Sequence, residues 1–98
     1  MDESDPIEAR TKRLHTLKDA DPVAWAITQG KRGALSISDF LGKDRDWVQV
    51  ELDRLVKTKE VKRVTFKKTY AYRPNSRELK RLARRAYTLR REENLSSK

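Results

Sequence analysis

The hydrophobic period of this chain changes once, and that change constrains the fold more than any other feature. Val48, Leu52, Leu55 and Val56 recur at intervals that place them on one face of a helix running to about Thr58. From Val61 the helical spacing is lost. The stretch "VKRVTFKKTYAYRP" is rich in β-branched and aromatic residues, with "KKT" at its middle. It predicts a hairpin with strands over 61–66 and 69–73, closed at Pro74. Upstream, "SDFLGKDRDWVQVELDRL" (38–55) has the spacing of a short helix, a tight turn at Gly42 and a second helix.

The remaining elements follow from start and stop signals. Pro6 suits the first turn of a helix, and Ile7, Leu14 and Leu17 give an amphipathic stripe over 7–18. Asp21-Pro22 starts a second helix, facing the core with Val23, Ala26 and Ile27 and stopping near Gly30. Leu35 is expected in a short extended segment. Ser36 and Asp39 fit a capping box that opens the short helix. Asp44 is placed to cap the next helix, with Asp46 in its first turn. Asn75 or Ser76 caps a last helix over 77–93, whose stripe is Leu79, Leu82, Ala83, Ala86 and Leu89. The fold class is therefore mainly α with a small β-hairpin. Residues 1–5 form a disordered tail, 6–74 the body, 75–94 a basic amphipathic C-terminal helix, and 95–98 a second tail.

Charge narrows the partners. The chain has 98 residues, a net charge of +9 and no cysteine. Length implies one domain, and the missing cysteines exclude disulfides and thiolate metal sites. Up to Glu60 there are 11 Lys/Arg and 12 Asp/Glu; from Val61 onward there are 13 and 3. Any electrostatic hold on a polyanion belongs to that last part. No apolar run reaches membrane-spanning length, and the acidic, polar start is neither a signal nor a transit peptide. The expected setting is cytoplasmic or nucleoid-associated.

The run "LSISDFLGKDRDWVQVELDRLVKTKEVKRV" resembles the winged helix-turn-helix family. Ile37 and Phe40-Leu41 match its short helix, Val48, Leu52 and Leu55 the core of its recognition helix, and Val61 the start of its wing. At Lys59 and Glu60 this chain departs from the family, which often has Gly and an apolar residue there. The resemblance covers about half the chain. It implies a winged helix-turn-helix domain with added N- and C-terminal helices, binding double-stranded DNA.

If Val48, Leu52 and Leu55 point inward, the opposite face carries Arg45, Trp47, Gln49, Val50 and Arg54. Gln49 and Arg54 offer paired hydrogen-bonding groups suited to base edges. Arg45 suits phosphate or guanine, and Trp47 suits a sugar or a thymine methyl. The same helix also carries Asp46, Glu51 and Asp53. Asp46 favours the helix dipole and Glu51 lies within reach of Arg54. Asp53 has no such duty in sequence and would repel phosphate unless it accepts from a cytosine amino group. The anchor is expected elsewhere, in the hairpin cations Lys62, Arg63, Lys67, Lys68 and Arg73.

The C-terminal helix adds Arg81, Arg84 and Arg85 as backbone contacts. Its stripe Leu79, Leu82, Ala86 and Leu89 has the spacing of a two-fold seam, implying a homodimer; packing on the N-terminal helix is the other use of that stripe. Trp25, Tyr70 and Tyr72 are read as packing residues, and His15 as a surface side chain. No catalytic constellation, metal site, cofactor or small-molecule substrate is indicated. The overall reading is a small dimeric transcriptional regulator or DNA-site organiser. Its alternatives are an RNA-binding or ribosome-associated protein and a protein-interaction module.

Overall fold

The structure is a computed structural model that describes residues 6–96. The expected N-terminal tail and the last two residues of the expected C-terminal tail lie outside that range. The order is α1 (Pro6–Ala20), α2 (Pro22–Thr28), α3 (Ala34–Leu41), α4 (Arg45–Lys57), β1 (Val61–Phe66), β2 (Thr69–Pro74) and α5 (Arg77–Ser96). The chain is mainly helical with a two-stranded antiparallel hairpin.

Helix α2 is the hub. Val23, Ala24, Ala26 and Ile27 have no exposed surface, and α1, α3, α4, α5 and β2 all pack around them. Asp21 caps its start, the carboxylate accepting from Ala24 N at 3.4 Å. Ile37 of α3, Val48, Leu52 and Leu55 of α4, Val61 of β1 and Tyr72 of β2 close the core from the other sides. Each buried Val, Leu or Ile contributes roughly 1.5–3 kcal/mol by leaving water.

One local start differs from expectation. Leu35 is helical, not extended, because α3 begins at Ala34 with Gly33 as its N-cap. Ser36 therefore sits inside the first turn and cannot open a capping box. The extended segment lies earlier and is reduced to one bond, Tyr72 N to Arg32 O at 2.7 Å. Phe40, matched by resemblance to the apolar pair of the short helix, is 40% exposed and stacks on Trp25, with ring centroids 5.3 Å apart.

The end of α4 explains how a hairpin can follow it so closely. Lys59 takes a left-handed φ of 68°. Lys59 N then bonds Val56 O and Glu60 N bonds Leu55 O, both at 3.0 Å, which is the Schellman closure of a helix. A glycine normally fills this position, since a β-carbon is strained there. Asn75 holds the joint from outside, its side-chain amide donating to Lys59 O at 2.9 Å.

The stripe read as a two-fold seam is occupied within the chain. Leu79 joins the main core, while Leu82 and Ala86 form a second cluster with Leu14 of α1. Leu17, Trp25 and Leu89 pack against that cluster. Helix α1 packs on α5, so these residues of the stripe are covered within the chain. Helix α5 also runs to Ser96, beyond the expected end near residue 93.

Candidate nucleic-acid interface

Helix α4 starts as expected. Asp44 accepts from Asp46 N at 3.0 Å, and Gly42 ends α3 with a left-handed φ of 66°. The tight turn leaves the outer side of α4 uncovered. Val50 is 64% exposed and Trp47 39% exposed, so both are accessible to a partner on this side. Lys43 lies over the Trp47 ring at 6.0 Å. Arg45 is exposed beside them.

The three carboxylates on α4 have local duties. Asp46 sits in the positive first turn. Glu51 accepts from Arg54 at 2.7 Å. Asp53 accepts from the Gln49 amide at 3.0 Å, and the same Gln49 Nε2 donates to the Tyr72 hydroxyl at 3.1 Å. The amide nitrogen has two hydrogens, so these bonds use both. Gln49 is thereby held with its oxygen as the remaining polar atom. It cannot offer the donor–acceptor pair that adenine recognition needs, but it can accept from a base amino group.

Arg54 is placed differently from expectation. Its guanidinium turns back across the fold, bonding Asp21 at 3.1 Å as well as Glu51. The hydrogen bonds to Glu51 and then to Asp21 raise its pKa above the usual arginine value. Arg54 is a strut between α4 and the start of α2. Sequence spacing revealed Glu51 but could not reveal Asp21, which arrives from a distant part of the chain.

Strand alternation divides the five hairpin cations. Register pairs Lys62 with Arg73 and Arg63 with Tyr72. Tyr72 is 2% exposed and faces the core, so Arg63 and Tyr70 share its side of the hairpin. There Arg63 lies over the Tyr70 ring at 4.6 Å. Lys62 and Arg73 project from the other side. Arg73 is near enough to Arg32 that, after burial, its charge is the next cause lowering the Arg32 pKa. Lys67 and Lys68 form the tip, where Lys67 takes a φ of 57°.

Between the hairpin, α4 and the start of α3 runs a groove of about 460 Å³, lined by Leu35, Arg45, Gln49, Lys68, Tyr70 and Tyr72 among others. The structure thus joins Arg45, Gln49, Lys68 and Arg63 into one surface, with Trp47 and Val50 on the outer side of α4. It does not bring Arg54, Lys62 or Arg73 there. Tyr70, read as a packing residue, is 54% exposed on this surface. Its place near the tip, beyond the reach of the core, was the signal available in sequence.

The expected backbone contacts on α5 are separate. Arg81 and Arg84 are exposed. Arg85 is half-buried, donating to Thr11 of α1 at 3.1 Å. Among the described residues no group of His, Asp and Glu could hold a metal ion, and no helix is long and apolar enough to cross a membrane. No protein-family model, curated protein or solved structure matches the chain.

Proposed function

We propose that this is a winged helix-turn-helix type protein that binds double-stranded DNA through α4 and the hairpin. The observation that carries the reading is the bond chain Asp53–Gln49–Tyr72, which ties the exposed helix to the hairpin and makes one basic, partly aromatic surface of the two. A helix of this length fits the major groove. Val50 and Trp47 then meet thymine methyl groups, Gln49 accepts from a base amino group, and Arg45 contacts phosphate or guanine. Lys67, Lys68 and Arg63 follow the flanking backbone and supply affinity without reading sequence. Lys62, Arg73 and Arg54 play no part in base reading.

The role that suits such a chain is occupancy of a control site, as a transcriptional regulator or an organiser of a short DNA site. Binding as a single chain is the reading supported by the internal use of Leu82 and Ala86. The test is a mobility shift on random duplex DNA and on folded RNA across a salt series, followed by selection of bound duplexes. A duplex complex that weakens steeply with salt, with an enriched sequence after selection, supports the proposal. A shift on RNA alone, or on neither, overturns it.

A further inference from the structure

Helix α5 carries a second charged surface that the α4 reading does not use. Its core side is Leu79, Leu82 and Ala86. Its outer side presents Arg77, Lys80, Arg81, Arg84 and Arg91, all exposed and recurring with helical period. Three grooves run along this side, of about 420, 320 and 250 Å³. Arg81 lines all three, and Arg10 of α1 lines the first and last. The one carboxylate lining them is Glu78, and Arg13 of α1 neutralises it, Nε donating at 2.8 Å. Like charges at this spacing repel one another along the helix, so the arrangement destabilises an isolated chain and favours a polyanion.

From these observations we infer that the outer face of α5 is a second site for the phosphate backbone of duplex DNA, so that one chain bridges two DNA segments. The inference rests on the reading of α4 and the hairpin as the first site. Helix α4 turns Leu52 and Leu55 to the core and α5 turns Leu79 to it, so each helix leaves its outer side to solvent. The stripe from Arg77 to Arg91 extends about 21 Å along the helix. That spans roughly six phosphates of one strand. Its exposed side is dominated by these cations, with Tyr87, 57% exposed, the large aromatic beside them, in place of the Gln49, Trp47 and Val50 set of α4. The site should therefore take any duplex sequence.

The test is bridging. One duplex carrying the selected α4 site is fixed to beads, and a second, fluorescent duplex of unrelated sequence is offered with the full chain. The wild type should carry the fluorescent duplex down. The triple variant Lys80→Gln, Arg84→Gln and Arg91→Gln should lose that capture about tenfold or more while still shifting a single site-bearing duplex, because three phosphate contacts go from the second site only. The retained shift also reports that the variant is folded. Capture that survives the triple variant overturns the inference, as does a wild type that shifts one duplex but captures no second. Capture of fluorescent folded RNA in place of duplex overturns the assignment of the occupant. A wild type that shifts no duplex at all fails the α4 reading first and takes this one with it.

Discussion

Lys59 occupies a backbone conformation that a lysine adopts only under constraint. The constraint is the pair of closing bonds at the end of α4, together with Asn75 from beyond the hairpin. Lys59→Gly should therefore stabilise the fold by about 1 kcal/mol, the strain of a β-carbon in the left-handed region, offset in part by glycine's freedom when unfolded. Urea denaturation measures this, and an unchanged or lowered midpoint would refute the strained geometry. Arg54 makes a contrasting case. Its raised pKa means that the charged form is favoured by folding. That contribution is complete at every pH below the ordinary arginine value and is lost only as pH climbs through the folded value, so it is no switch at ordinary pH. Arg54→Met should lower stability by up to about 1 kcal/mol, the range for an exposed ion pair, and leave site preference unchanged. Loss of preference in selected-site binding would return Arg54 to the reading face. Asp53→Ala should act in the opposite sense. It frees the Gln49 amide and removes a negative charge, so non-specific affinity should rise while discrimination between sites falls, read as the ratio of the two dissociation constants.

At the scale of elements, α5 is held by one face and offers the other. Leu82 is 3% exposed in the cluster with Leu14 and Ala86. Leu82→Ala should lower stability by about 2–5 kcal/mol, as truncation of a buried leucine does, with midpoints independent of protein concentration, whereas a dimer seam would make the wild-type midpoint rise with concentration and the variant monomeric. Denaturation combined with sedimentation separates the two outcomes. The hairpin is likewise two-sided. Lys68 belongs with the α4 surface, and Lys62 with the other side of the sheet. Lys68→Ala should reduce the salt slope of duplex binding by about one unit, whereas Lys62→Ala should leave it unchanged. Equal effects at the two positions would show that the DNA does not respect the pleat.

At the scale of the molecule, the helices, the hairpin and the caps of α2, α4 and α5 were legible in the chain because these signals are local. The start of α3 was not: Leu35, expected extended, is helical, and Gly33 rather than Ser36 precedes the helix. Asp21, Asp44 and Ser76 announce helices α2, α4 and α5 through bonds that reach only two or three residues. The apolar period marks the buried faces of α2 and α4, and the switch of period marks the hairpin, since helices and strands expose side chains at different intervals. The excess of charge after Glu60 was likewise in plain view. What the tertiary structure alone decided is which partner each side chain meets. A stripe with the spacing of a seam is the same stripe whether α1 or a second copy covers it, and only the packing of α1 on α5 settles which. An arginine beside a glutamate in sequence becomes a strut only when Asp21 arrives from another helix. Gln49, whose bond to Asp53 spans only four residues of one helix, is tied to the hairpin only because the fold brings the Tyr72 hydroxyl to it. Each of these depends on contacts between residues far apart along the chain, and local period carries no information about them.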